Sequence, residues 1–175
     1  GVVPEIVTKA GESLEDNQGG LLVLKQPWPS MLRTLYGDHD RFLETYFSEV
    51  PGSYFAGDGA RRDEDGCYWI VDRKKDMIIS GGENIASREV EEALRQHPAV
   101  REVAVVGIPH PKWGEQVCAA VQLRSEISGE MLEAHCRSLL AGYKTPKTFL
   151  IVERIPVNAN GKIDKPLVRA QFRNL

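Results

Sequence analysis

The chain changes character at one place, the charge cluster Asp72-Arg73-Lys74-Lys75-Asp76. Residues 1–73 hold 7 Lys/Arg against 13 Asp/Glu, a net of −6, whereas residues 74–175 hold 15 against 12, a net of +3. A sign change of this kind marks a domain boundary. It suits a length of 175 residues, enough for one domain and a piece of another.

Upstream of the cluster the pattern is one of short strands and many turns. Residues 2–7 and 21–26 read as strands around a polar turn segment, residues 11–20. Residues 40–50 place Phe42, Tyr46, Phe47 and Val50 near one helical face, with Asp-His-Asp as the cap. Residues 54–56 and 67–72 read as two strands of a hairpin, because Asp65-Gly66 is a strong turn signal.

Downstream the elements lengthen. Residues 77–79 read as a strand ending in Gly81-Gly82. Ser87 is the expected cap of a helix reaching about His97, with Glu89, Glu91 and Glu92 favouring its positive end and Pro98 stopping it. Strands follow at residues 102–108 and 116–123. A helix at residues 129–140 has Met131, Cys136, Leu139 and Leu140 as its expected apolar side. A strand at 149–152 and a last helix at 164–172 complete the order β-α-β-β-α-β-α. The expected fold is α+β: a small β-rich subdomain, residues 1–73, then a compact mixed-sheet domain with about three helices, residues 74–175.

Composition excludes several classes. Hydrophobic residues at 42% and charged residues at 27% are the balance of a globular protein. The longest apolar runs, residues 104–108 and 149–152, are far too short for a membrane span. The +3 of the second part is too small to argue for nucleic acid, yet it suits a phosphorylated small molecule. Cys67, Cys118 and Cys136 offer neither a disulfide framework nor metal-ligand spacing, so no metal site is expected and a cytoplasmic or other reducing compartment is. The start, Gly1-Val2-Val3-Pro4, has no signal-peptide pattern and no initiator Met, so a fragment of a longer or hybrid protein is expected.

Two glycine-containing loops hold the candidate chemistry. In YFAGD, Gly57 is read as turning the chain at a strand end and presenting Asp58, whose two oxygens suit both hydroxyls of a ribose. A turn aspartate satisfying backbone amides is the simpler alternative. In PVNANGKIDK, Lys162 follows a flexible loop and can reach a phosphate or carboxylate as a point charge. A solvated turn lysine is its simpler alternative, and no Walker pattern is present. The Arg73-Lys74-Lys75 cluster is either an exposed connection or a hinge that stays wet while two domains move. Gly81-Gly82 is either a plain turn or a place where a ligand passes close to backbone.

YFAGD, GCYWIVDRKKDMIISGGENI, SREVEEAL and PVNANGKIDK, in that order, resemble the adenylate-forming family of acyl-CoA synthetases, luciferases and peptide-synthetase adenylation domains. The resemblance spans essentially the whole chain. It implies a C-terminal remnant of the large domain followed by the mobile lid domain. It also implies an AMP-forming acid–thiol ligase. Such an enzyme makes an acyl-adenylate from a carboxylate and ATP with Mg²⁺, then passes the acyl group to CoA as the lid rotates. Asp58 would hold the ribose with help from Arg73, and Lys75 would sit at the hinge. Lys162 would act in adenylation and leave for the second step. Gly81 and Gly82 would line the pantetheine path, and Arg137 would meet the CoA phosphates. Lys162 would also be a target of a lysine acetyltransferase and deacetylase.

Residues 1–72 resemble acetyl- and propionyl-CoA synthetases, and residues 73–175 the medium- and long-chain ligases. Lys75 stands where acetyl-CoA synthetases usually carry Asp, and Glu83-Asn84 where they carry His-Arg. The resemblance places the phosphate loop and acyl pocket upstream of Gly1, in the missing N-terminal domain, so the chain alone is expected to be inactive. A carrier-protein-loading adenylation domain and a non-catalytic CoA- or nucleotide-binding lid module are the alternatives.

Overall fold

The computed structural model describes residues 1–172. It divides into two compact units, the first Gly1–Lys75 and the second from Asp76 onward.

The first unit is one antiparallel sheet of four strands in sequence order: β1 (Pro4–Val7), β2 (Gly19–Leu24), β3 (Tyr54–Arg62) and β4 (Tyr68–Arg73). Its core is small, with Val7, Leu21, Val23, Val50 and Phe55 packed together. Helix α1 (His39–Phe47) lies between β2 and β3 in sequence, and the Asp38 carboxylate caps it by accepting from the Arg41 amide at 3.2 Å. Phe42 is its buried residue, and Tyr46 stacks on Tyr54 with ring centroids 4.8 Å apart. The Asp63 carboxylate organises the β3–β4 turn by accepting from the amides of Asp65 and Cys67 and from the Trp69 indole.

The strand expected at residues 54–56 instead runs on to Arg62. Leu21 pairs with Gly59, but Val23 pairs with Phe55, so β3 spends extra residues between the two pairs. The extra length forms a bulge around Gly57, whose φ is +86°. Gly57 therefore does not end the strand; it re-aims it.

In the second unit, β5 (Ile78–Ser80) and β6 (Glu83–Ile85) form a tight hairpin, and α2 (Ser87–Arg95) follows. In the long hairpin β7 (Val100–His110) and β8 (Gly114–Leu123), β8 is the inner strand, paired with β5 as well as β7, and β7 lies at the edge of the sheet. After α3 (Gly129–Leu139), strand β9 (Thr148–Ile151) adds parallel to β8. Helix α4 (Lys165–Phe172) closes the described chain.

Both faces of β7 and β8 are buried. Val103, Val105, Val117, Ala119 and Val121 face a cluster that includes Val90 and Leu94 of α2 and Leu132 and Cys136 of α3. The alternate residues, Ala104, Val106, Cys118 and Ala120, face Val168 and Phe172 of α4. Small side chains on that second face let α4 approach closely. The side-chain period of two, apolar in both phases, makes these strands the middle layer.

Three local expectations change. Strand β6 is additional. Ser87 is not the cap of α2: Ala86 occupies that position without a side-chain bond, and Ser87 is buried as the first helical residue. In α3 the inward residues are Leu132 and Cys136, whereas Met131 and Leu139 are exposed. Spacing of four residues through Leu132 and Cys136 wins because it matches the helical repeat.

Candidate functional site

The bulge in β3 sets up the first constellation. Asp58 pairs in register with Arg73 of β4, and Arg73 Nε lies 3.9 Å from the Asp58 carboxylate. That is a loose, partly exposed pair, worth at most about 1 kcal/mol. The carboxylate therefore keeps acceptor capacity for a ligand. An open cleft of about 610 Å³ lies against it, lined by Thr45, Phe55, Ala56, Gly57, Asp58, Arg73, Lys74 and Lys75. Three of the sequence-expected residues, Asp58, Arg73 and Lys75, thus share one wall system. Lys74 ion-pairs with Glu49, and its ammonium lies 5.9 Å from the Phe55 ring centroid. Residues 74–76 form a single 3-10 turn. Short 3-10 turns of this kind are frequent as connectors.

The second constellation is the β5–β6 turn. Gly81 and Gly82 have φ of +61° and +88°, the two positive values of a type I′ hairpin turn. A Cβ at either would meet nothing within 4 Å, so their conformation, and not crowding by this chain, requires glycine. The turn is held in place from outside. The Gly81 amide donates to the Trp113 carbonyl at 2.9 Å. The Ile79 amide donates to the Glu115 carboxylate at 2.8 Å. Glu115 can lie there because Gly107 has no side chain: a Cβ at 107 would fall 2.7 Å from the Glu115 carboxyl carbon.

Beside Gly81 is a cleft of about 280 Å³ whose lining includes Trp113, Gln116, Tyr143, Thr145 and Lys147. Reasoning from motifs missed these residues, because they come from two separate segments with no pattern of their own. The Thr145 hydroxyl is buried with no hydrogen-bond partner among the described residues.

Lys162 rises from a short ordered loop. Val157 and Ile163 form a β-bridge, the Asn158 amide donates to the Lys162 carbonyl at 2.8 Å, and the Asn158 side-chain oxygen accepts from the Lys162 amide at 3.1 Å. Gly161 takes φ +75° at the tip. The Lys162 side chain is exposed, and its ammonium makes no ion pair among the described residues. Its backbone is fixed and its charge is free to reach outward.

Arg137 lies on the exposed side of α3, 2.7 Å from Glu133 one turn back. Of the cysteines, Cys67 is exposed while Cys118 and Cys136 are buried. Burial, with Glu133 nearby, pushes the Cys136 thiol up to about 11, and burial also raises Cys118. Those two stay thiols at neutral pH and are core residues. Among the described residues no group of three His, Cys, Asp or Glu could hold a metal, and no helix is long and apolar enough to cross a membrane.

Residues 89–162 match the family model of the AMP-binding enzyme C-terminal domain. The second unit is similar to that AMP-binding domain over most of its length. The likeness extends beyond that domain. Acetyl-coenzyme A synthetase of Deinococcus radiodurans is 45% identical over 171 residues, 97% of this chain and 26% of the relative. The chain thus spans about a quarter of the length of the curated relatives it matches. The alignment does not stop at Arg73, so both units share the acetyl-CoA synthetase likeness.

Among solved structures, the amide bond synthetase McbA of Marinactinospora thermotolerans superposes with a TM-score of 0.86 at 35% identity, over 98% of this chain and 34% of that one. The o-succinylbenzoate CoA synthetase of Bacillus subtilis, in complex with its acyl-adenylate intermediate, gives 0.82 at 32%, over 99% and 34%. Residues of both units therefore have counterparts in these two solved enzymes.

Proposed function

We propose that this chain is the C-terminal portion of an AMP-forming acyl-CoA synthetase, with residues 1–73 the end of the large domain and 74–175 the lid. The carrying observation is the Asp58–Arg73 pair at the lip of an open cleft, on a bulge that frees the carboxylate's oxygens. A carboxylate so presented can accept from both hydroxyls of the AMP ribose, while Arg73 holds it in place. Mg²⁺ would come bound to the phosphates of ATP, as part of the substrate.

In the first step the substrate carboxylate attacks the α-phosphorus of ATP, and pyrophosphate leaves. The ammonium of Lys162 would lie against the phosphate and carboxylate oxygens, where negative charges meet. Its exposure on a rigid loop supports that role, because a fixed base with a free charge needs little reorganisation. In the second step the CoA thiolate attacks the acyl carbon and AMP leaves. Lys75 at the 3-10 turn would serve as the hinge. The lid would then turn the Gly81-Gly82 hairpin toward the acyl group and withdraw Lys162. The neighbouring cleft supports a CoA arm there, since Trp113 and Tyr143 offer aromatic faces and Lys147 a cation. Arg137 would take a CoA phosphate by exchanging its exposed partner Glu133.

The acceptor separates this reading from its alternatives. Free CoA is favoured over a carrier protein because the curated relatives are acetyl-CoA synthetases. The test is made in the full-length protein with two separate assays, ATP–pyrophosphate exchange and thioester formation from supplied acyl-adenylate. Lys162→Ala should lower the first by about a hundredfold or more and the second far less. Equal loss in both assays, or none, sinks the assignment. The isolated 175 residues should show no exchange at all. Because Lys162 is exposed, an acetyltransferase can reach it, and acetylation should mimic the alanine substitution by removing the same charge.

A further inference from the structure

Three residues beyond Lys162, Lys165 turns inward. Its ammonium lies 3.1 Å from the Glu91 carboxylate, and both side chains are nearly buried, 13% and 8% exposed. The same ammonium donates to the Ser87 hydroxyl at 2.5 Å. Glu91 in turn accepts from the Val105 amide of β7 at 3.0 Å, and Arg95 stands 3.9 Å away. A buried lysine, carboxylate, hydroxyl and strand amide thus form one connected network. Surface ion pairs hold little; a pair out of water holds its geometry, because losing either partner strands the other charge.

The network has a particular place in the fold. It joins the first residue of α4 to the first two turns of α2 and to the edge strand β7. Asp164, just before Lys165, caps α4 by accepting from the Leu167 amide at 3.1 Å, and its own amide donates to the Pro156 carbonyl at 2.9 Å. Ile163 packs against the α4 side of the sheet. The loop bearing Lys162 is therefore pinned at its start by Asn158 and at its end by Lys165. Further along α4, Arg169 reaches Asp76, the last residue of the 3-10 turn, at 4.0 Å.

We propose that the Glu91–Lys165 pair is a positioning device for Lys162, fixing the height and direction of its loop for the adenylation step. Lys165 touches no reacting atom; it acts through the loop. The inference rests on the role proposed above for Lys162. If the pair sets that loop, its loss should harm the step that uses Lys162 and spare the step that does not. A purely structural pair would lower both alike.

The experiment compares Glu91→Gln, Lys165→Met and Lys165→Arg with Lys162→Ala, all in the full-length protein. Glu91→Gln keeps the shape and an oxygen acceptor for the Val105 amide and the Lys165 ammonium, so it disturbs the fold less than Lys165→Met, and thermal unfolding of each variant checks that it is folded. Expected is a loss of about tenfold to hundredfold in ATP–pyrophosphate exchange for Glu91→Gln, the scale of an ångström's misplacement. Thioester formation from supplied acyl-adenylate should fall less than about threefold, within ordinary context scatter. Lys165→Arg should restore most of the exchange. Equal loss in both assays, or full exchange in Glu91→Gln, overturns the proposal. If Lys162→Ala itself fails to separate the two assays, the function reading is at fault and not this pair.

Discussion

The two units solve the problem of a sheet in opposite ways. The second buries both faces of its long hairpin, so every residue of β7 from Val103 to Val106 is enclosed. The first gathers one cluster of five residues and leaves Trp69 and Ile70 of β4 exposed at 54% and 44%. A three-layer arrangement closes on itself; a single sheet with one small cluster leans on whatever else covers it. The division also suits the proposed chemistry. On that proposal, the unit with Asp58 would serve both steps, while the second unit would carry groups that serve one step each.

The sharpest way to break this comparison is to measure opening free energies by amide hydrogen exchange across the chain. Amides of β7 and β8 should be protected far above those of β1 to β4; equal protection would erase the distinction. Within the second unit, Leu132→Ala should cost about 2–5 kcal/mol in urea unfolding, because Leu132 is fully buried between α3 and the sheet. The exposed neighbour Met131→Ala should change little.

Asp58→Ala should then lower both half-reactions of the full-length protein together, by about tenfold, the worth of hydrogen bonds to a charged group. A loss confined to one half-reaction would remove the shared nucleotide role. Gly82→Ala should destabilise the second unit by about 1–2 kcal/mol through its positive φ alone, since the space around it is open. A larger loss confined to thioester formation would point to a ligand passing that spot.

The smallest effect concerns pH. The Trp69 indole, with the amides of Cys67 and Asp65, holds the Asp63 carboxyl below its ordinary range. A lowered folded value means the turn's stabilisation is complete above the unfolded carboxylate range and is lost as pH falls through the folded value. The protection of the Cys67 amide, relative to its intrinsic exchange rate at each pH, should fall in that acid window, and Asp63→Asn should abolish the pH dependence of that protection.

Much of this was readable from residues. The change at Arg73-Lys74-Lys75 stands next to a structural division after Lys75. The helices and the strands of the long hairpin follow from apolar spacing, and the β3–β4 hairpin from its Asp65-Gly66 turn. Other features were hidden for physical reasons. Glu91 sits on the same stripe of α2 as Ser87, Val90 and Leu94, and a carboxylate at an apolar position was the available signal. It was read as an acid favouring the helix start, because its partner lies 74 residues away at Lys165.

Local patterning thus determined the element order, the α+β class and the residues able to carry charge or take positive φ. It could do so because hydrophobic period, turn chemistry and glycine conformation act over a few neighbouring residues. Tertiary structure alone decided that β3 bulges to free Asp58, that Glu115 pins the glycine hairpin across Gly107, and that Lys165 turns in while Lys162 turns out. Those outcomes depend on strand register and on burial by distant segments. Such energies exist only once the chain has closed on itself.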